Sequence, residues 1–226
     1  MKIASKSEQI LGMGQTRNAS RRVLYETVLI LALTFAAQFL WKDLRTLFVF
    51  VPLIYFFIER SLRRRTWAEV GFNIRAIPRD LAANWLLILV VSIIIQFLVV
   101  WIAKAVMPAY LDHVIARLPF TVGQTSNWLL LLLAATFAEE VSYRALFQER
   151  LSWFISTPAA IGIMSVVFGI AHWTRGAPAI VVMDVLLVIL DSLFYGVIFA
   201  RSKNVYVSWI AHFLADLFAL GFVLLI

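Results

Sequence analysis

Seven stretches of this chain are almost entirely apolar, and most of them approach the length that a helix needs to cross a lipid bilayer. A crossing helix takes about 20 predominantly apolar residues. The chain is therefore predicted to be an all-α, polytopic transmembrane helical bundle with about seven spans. The stretches are Val23–Trp41, Thr46–Ile58, Leu81–Val106, Trp128–Phe147, Ala159–Trp173, Ala179–Ala200 and Val205–Ile226.

The first two stretches need separate interpretation. Val23–Trp41 is longer than the apolar region of a cleaved signal, which has about 7–15 residues, so we interpret it as a retained anchor. Thr46–Ile58 is short for a crossing and contains Pro52. It is either a tilted span in a locally thinned bilayer or a re-entrant segment.

The charge distribution favours a membrane protein over a nucleic-acid binder. Hydrophobic residues make up 62% of the chain, charged residues 15%, and the mean hydropathy is +0.89, whereas soluble domains have about 25% charged residues. The net charge of +7 comes mainly from the segment before the first stretch and from the loop Glu59–Asp80. With the N-terminus inside, fourteen of the twenty basic residues are cytoplasmic, as the positive-inside rule requires. No nucleic-acid partner is expected.

Acidic residues and histidines gather in the last four stretches. An acidic residue at the centre of a span costs roughly 2.5–3.5 kcal/mol, and such residues usually face a bundle interior or a water-filled cavity. These stretches therefore predict a functional site, whereas the first three predict a scaffold. The chain has no cysteine, which excludes disulfides, thiolate metal sites and a cysteine nucleophile. The polar residues are Glu139, Glu140, His172, Asp184, Asp191, His212 and Asp216.

Helical spacing groups these residues into pairs. Glu140 and Arg144 are four residues apart and share a helix face, whereas Glu139 points about 100° away. One glutamate can therefore be tied to arginine while the other serves chemistry, although a purely structural ion pair at a helix end explains the motif equally well. His212 and Asp216 also share a face, as do Phe168 and His172.

Two chemistries fit such a set of residues. A carboxylate and two imidazoles in one cavity could activate water and stabilise an oxyanion. They could also hold Zn²⁺ through Glu139, His172, His212 and Asp216. Asp184 and Asp191, seven residues apart, either line a substrate path or have structural partners. His113 is interpreted as a solvated pair with Asp112 in the loop Pro108–Asn127.

Three motifs resemble those of one family of membrane proteins. Phe137–Arg144 matches the EExxxR motif, Phe168–His172 matches FxxxH, and His212–Asp216 matches HxxxN/D of the CAAX protease and bacteriocin-processing (Abi) family. The segments Trp67–Phe72 and Tyr195–Asn204 are similar to further parts of that family. The resemblance extends over about Thr66–Ile226.

The resemblance implies an intramembrane endopeptidase that cleaves a membrane-associated protein or peptide. It implies that Glu139 is the general base, that His172 helps to hold the water, and that Glu140 and Arg144 give structural and electrostatic support. His212 and Asp216 would bind the developing oxyanion. No cofactor is expected, and zinc remains an alternative. The implied organisation is a basic cytoplasmic segment at 1–22, a transmembrane scaffold with its basic loop at 23–80, and the protease core at 81–226.

One residue departs from the prenyl-protein proteases, which have asparagine where this chain has Asp216. Aspartate donates a hydrogen bond only when protonated, a state that burial beside Glu139 favours. Two other functions stay open: a non-catalytic immunity or scaffold protein of the same fold, and a proton-coupled transporter. We expect a multi-pass protein of a bacterial inner membrane, and the sequence carries no signal for an oligomeric state.

Overall fold

The computed structural model describes residues 21–36, 50–116, 118 and 127–225, in two compact units, Met1–Pro52 and Leu53–Ile226. Three predicted features lie wholly or mainly outside the described residues: the basic N-terminal segment, the end of the first apolar stretch and the start of the second. The first unit contains the helix at 21–36 and the beginning of the helix Phe50–Leu62. The candidate site lies entirely within the second unit. The predicted domain boundaries at residues 22 and 80 stay a prediction.

The described residues form eight helices and no strand, which confirms the predicted all-α class. The helices Ile74–Val106 and 128–151 each contain an internal π-helical segment. By length and composition, three of the described helices are able to cross a bilayer: Ile74–Val106, Pro178–Ser202 and Val205–Leu225. Seven crossings therefore stay a prediction. The helices are α1 (21–36), α2 (Phe50–Leu62), α3 (Ile74–Val106), α4 (Ala109–Ala116), α5 (128–151), α6 (Thr157–Ala171), α7 (Pro178–Ser202) and α8 (Val205–Leu225).

The centre of the second unit is where α3, α7 and α8 meet. Its core consists of small and β-branched side chains around one tyrosine. Small residues let helix backbones approach closely, which drives association where lipid offers no hydrophobic gain. This packing fixes the relative positions of the helix faces that carry the polar residues. The core residues are Val91, Tyr195, Ile198, Val207, Ala211 and Ala215.

A glycine sets the spacing between α6 and α7. A Cβ at Gly169 would overlap Cγ1 of Ile189 and lie 3.0 Å from the carbonyl oxygen of Val185. Only glycine at this position therefore allows α6 and α7 to approach so closely. The contact lies three residues before His172 and holds this end of α6 close to α7. Helix α6 begins at Thr157, two residues before the predicted apolar stretch, and has Pro158 in its first turn.

The segment Trp67–Phe72 is fastened to the start of α8. Gly71 adopts a left-handed conformation with φ of 90°, and its carbonyl oxygen accepts a hydrogen bond of 2.8 Å from the backbone N–H of Val205. The side chain of Asn204 donates to the Asn73 carbonyl at 2.9 Å and to Asp80 at 3.1 Å. Two segments that the sequence links to the family therefore meet in space.

Two predictions about loops are wrong. The predicted loop Pro108–Asn127 contains helix α4, because Tyr110 is buried there and its hydroxyl reaches Asp184 Oδ1 at 3.5 Å. Helix α2 extends past Ile58 to Leu62, into the predicted basic loop. It does so because buried Glu59 binds Arg150 at 2.9 Å and Arg63, one turn later, at 2.8 Å.

Candidate active site

The innermost part of the site is an ion pair on α5. Glu140 and Arg144 are both fully buried, and Arg144 Nε lies 3.4 Å from Glu140 Oε2. Arg144 Nη2 also donates a hydrogen bond of 2.9 Å to Ser192 Oγ on α7. The ion pair between Glu140 and Arg144 was predicted from their spacing of four residues. The hydrogen bond from Arg144 to Ser192 connects α5 to α7. Buried charges persist only when they are paired in this way.

The backbone changes its winding at this pair. Helix α5 is α-helical from Trp128 to Glu140, π-helical from Val141 to Gln148, and α-helical again to Leu151. A π segment bonds each N–H to the carbonyl five residues back and often marks a functional site. The motif therefore spans a junction at which the wider turn redirects the side chains that follow Glu140.

His212 on α8 connects the carboxylates of the site. Its Nδ1 lies 3.1 Å from Glu140 Oε1, while its Nε2 lies 3.7 Å from both Glu139 Oε2 and Asp216 Oδ2. Because an ionised carboxylate only accepts hydrogen bonds, Nδ1 carries a proton and donates a hydrogen bond to Glu140. The ring is therefore oriented by Glu140, and Nε2 is directed at the other two carboxyl groups.

Two aromatic rings hold the imidazole in this orientation. The Tyr195 ring stacks on His212 with centroids 4.5 Å apart and an interplanar angle of 18°. The Phe168 ring meets the imidazole edge to face at 5.8 Å. Aromatic contacts of this kind contribute about 0.5–1.5 kcal/mol beyond burial. Since α6, α7 and α8 each supply one ring, the position of His212 depends on the packing of three helices.

His172 lies at the end of α6, beside this cluster. Its Nδ1 donates a hydrogen bond of 2.8 Å to the carbonyl oxygen of Phe168, one turn earlier. Its ring also contacts the Phe168 ring, with centroids 4.5 Å apart. Both imidazoles therefore lie against the same phenylalanine. The phenylalanine of the FxxxH motif therefore helps to position both histidines.

The site has a buried half and an accessible half. The side chains of Glu140, Arg144 and His212 are at most 5% exposed, whereas Glu139 is 29% and Asp216 43% exposed. The two groups that His212 Nε2 faces are thus the ones that a substrate or water could reach. The structure brings five of the six predicted residues into direct contact and places His172 beside them through Phe168.

Two contributors were not predicted from the sequence. Ser192 binds Arg144, and Tyr195 stacks on His212; they lie three residues apart on α7. The signal that could have indicated them is that a serine and a tyrosine share one face of an otherwise apolar helix. Within the part of the chain that the structure describes, no group of three or more histidine or acidic side chains is arranged to hold a metal ion. The four ligands predicted for zinc thus do not form such a group.

A second polar cluster corrects the interpretation of His113. Its ring is not paired with Asp112 in solvent: the side chain is 11% exposed, and Nε2 lies 3.2 Å from Thr174 Oγ1 and 3.6 Å from Asp184 Oδ2. Asp184 therefore has structural partners on α4 rather than a place in the site. Asp191 accepts a hydrogen bond of 3.1 Å from Gln96 on α3. The partners of His113 and Asp184 depend on the helix α4 and could not be predicted without it.

A comparison with known families bears on the region of the chain that contains the candidate site. The family model described as type II CAAX prenyl endopeptidase Rce1-like matches residues 121–218. The resemblance to the CAAX protease family is confirmed. The matched region contains all six predicted site residues, and the family is one of intramembrane peptidases, which are hydrolases. Segment Trp67–Phe72 lies outside the match. No curated protein and no solved structure matches the chain.

Proposed function

We propose that this protein is an intramembrane endopeptidase that hydrolyses a peptide bond of a membrane-associated protein or peptide with water activated by Glu139. The observation that carries the proposal is the orientation of His212. Its Nδ1 is bound to buried Glu140, and its Nε2 faces Glu139 and Asp216, the two accessible carboxyl groups. This arrangement supports a base, Glu139, and two hydrogen-bond donors, His212 Nε2–H and Asp216, around the same accessible point.

In the proposed reaction, Glu139 takes a proton from water while the water oxygen bonds to the carbonyl carbon of the substrate. The electron pair of the C=O double bond moves to oxygen, and the resulting oxyanion accepts hydrogen bonds from His212 Nε2–H and from Asp216. Glu139 then passes its proton to the amide nitrogen as the C–N bond breaks. The products are a carboxyl terminus and an amine. His172 helps to hold the water.

The scheme needs a defined protonation state for each of its groups. His212 has to donate from both nitrogens, to Glu140 through Nδ1 and to the oxyanion through Nε2. Glu139 has to be ionised to act as the base, and Asp216 has to carry a proton to act as a donor. The side chain of Asp216 is 43% exposed, so the burial expected for it from the sequence is wrong. Arg144 balances Glu140, which lets Glu140 stay a carboxylate and orient the ring.

The buried pair is a positioning device in this scheme. Glu140 touches neither water nor substrate, but it fixes which nitrogen of His212 donates to the oxyanion. Such a partner of an imidazole commonly changes rate by ten- to a hundredfold in the analogous case of metal-bound histidine. From the charge distribution we also propose that the N-terminus lies in the cytoplasm and that the bilayer is a bacterial inner membrane.

The experiment that tests the function compares membrane proteomes of cells that produce the wild type or the Glu139→Gln variant. A peptidase predicts that specific precursors accumulate in the variant while their shortened products disappear. Asp112→Asn is the matched control, because Asp112 is an exposed carboxyl group on α4 outside the site. A binding protein such as an immunity or scaffold protein predicts unchanged termini in all three samples, and that outcome would refute the proposal.

A further inference from the structure

A cavity of about 60 Å³ adjoins the candidate active site at Asp216. It lies between α3, α4, α7 and α8, and its polar lining residues are Gln96, Tyr110, Asp191 and Asp216. Valine, leucine, isoleucine and alanine side chains complete the wall, among them Leu187 and Ala219. Asp216 therefore faces the cavity and also lies 3.7 Å from His212 Nε2.

The polar lining decides what such a cavity holds. Apolar cavities stay dry, whereas a polar cavity holds water once it offers about 10–15 Å³ per molecule and two to four polar partners. A volume of about 60 Å³ is on this basis enough for about four water molecules. It is much smaller than the roughly 150 Å³ of an engineered cavity that binds benzene. A large apolar side chain is therefore a poorer occupant than water.

Gln96 supplies a hydrogen-bond acceptor at this wall. Its amide nitrogen donates to the Val91 carbonyl at 3.0 Å and to Asp191 Oδ2 at 3.1 Å, which uses both of its N–H groups. Both partners are acceptors, so the nitrogen and oxygen of the amide are assigned without ambiguity. Among the described residues, no hydrogen bond reaches Gln96 Oε1. This oxygen is therefore placed to accept from water in the cavity.

The same residues connect the cavity to the reacting groups. Asp191 and Tyr195 are four residues apart on α7, and the Tyr195 ring stacks on His212. Gln96 follows directly on the π segment Val90–Ile95 and satisfies the Val91 carbonyl there. The winding of α3 thus positions the Gln96 amide towards α7.

We propose that this cavity is a hydration site that supplies the water consumed in hydrolysis, and that Gln96 and Asp191 are positioning residues for that water. The inference rests on the proposed peptidase function, because it assigns the water to that reaction. Peptide hydrolysis consumes one water molecule per turnover, and a bilayer core offers none. A hydrated cavity that borders Asp216 meets this requirement within the fold.

The first test measures hydration directly and needs no activity. The chain has no cysteine, so single thiols can be introduced by Leu187→Cys, in the cavity wall, and by Leu186→Cys, whose position is 59% exposed on the outer surface of α7. Hydroxyl radicals generated by X-ray radiolysis of bound water oxidise neighbouring thiols. In lipid nanodiscs the thiol at 187 should be oxidised several times faster than that at 186. Equal rates, or a faster rate at 186, would overturn the proposal.

The second test asks whether this water is used. Ala219→Leu adds apolar volume to the cavity, and Gln96→Leu removes the acceptor; Gly221→Ala on the same helix is the control, because a Cβ there meets nothing within 4 Å. Both cavity variants should lose thiol oxidation at 187, and kcat should fall about tenfold or more with KM nearly unchanged, the scale of a misplaced reactant.

The outcomes separate the two proposals. A raised KM with unchanged kcat in Ala219→Leu would mean that the cavity binds a substrate side chain, and it would overturn the water assignment. Lost thiol oxidation with wild-type kcat would overturn it as well. If the wild type cleaves nothing, the peptidase function fails, while the radiolysis result still decides whether the cavity is hydrated.

Discussion

Arg144→Met is the substitution that tests the buried half of the site most severely. The methionine fills similar space but leaves Glu140 as a buried carboxylate without its cationic partner, and it removes the hydrogen bond to Ser192. Since Glu140 also orients His212, the same change disturbs the imidazole. We therefore expect a large loss of stability together with a loss of activity.

The separation of the charges sets the size of the effect. At 3.4 Å and an effective dielectric constant of about 20, the attraction is about 5 kcal/mol. Removal of one partner from buried pairs costs about 3–5 kcal/mol, because the remaining charge is left uncompensated. For a chain of 226 residues, 1 kcal/mol corresponds to about 2–4 °C in Tm, so the expected decrease is about 6–20 °C.

The assay is thermal unfolding of purified protein in one detergent, with Lys203→Met as the matched control. Lys203 Nζ also makes a close ion pair, 2.6 Å from Glu149 Oε2, but the lysine side chain is 54% exposed. Exposed pairs contribute about 0–1 kcal/mol, so this control should change Tm by a few degrees at most. The double variant Glu140→Gln, Arg144→Met should be more stable than Arg144→Met alone. Equal Tm values for Arg144→Met and Lys203→Met would refute the reasoning.

Three further predictions concern the accessible half, metal and helix packing. Asp216→Asn should keep much of the activity, because an amide also donates a hydrogen bond, whereas Asp216→Ala should lose about 10²–10³ in turnover. The check is the cleavage rate of the three proteins in liposomes, and an asparagine variant as inactive as the alanine variant would contradict the donor role. Activity should survive dialysis against chelator; stoichiometric zinc in active protein, with activity lost to chelator and restored by zinc, would contradict direct activation of water by Glu139. Gly169→Ala should lower Tm, because its Cβ overlaps Ile189, whereas Gly162→Ala, where a Cβ meets nothing within 4 Å, should be neutral or stabilising by about 0.5–1 kcal/mol; equal Tm values for the two variants would show that the close approach is unimportant.

Contacts within one helix were predictable from spacing. Glu140 and Arg144 pair on α5, and His212 reaches Asp216 on α8, because residues four apart share a helix face. The positions of the long apolar helices were predictable for a similar reason, since length and hydropathy determine them. The match to a family model over residues 121–218 agrees with the motifs that suggested the family.

Contacts between helices were not predictable in this way. His212 lies 72 residues from Glu140 in the chain, and their hydrogen bond depends on how α5 and α8 cross. The π segment after Glu140 could not be predicted from hydropathy, because an α-helix and a π-helix of the same apolar sequence have the same hydropathy. The helix α4 was missed because its eight residues are mixed in polarity, and the roles of His113 and Asp184 were missed with it.

The measurement that tests the central claim most directly is peptide cleavage by purified protein in liposomes, wild type against Glu139→Gln, with a precursor identified in membranes as substrate. The amide keeps the shape of the side chain but cannot take a proton from water. We predict that the variant folds with the wild-type Tm and cleaves about 10²–10⁴ times more slowly. Cleavage by Glu139→Gln at a rate near that of the wild type would contradict the assignment of Glu139 as the base.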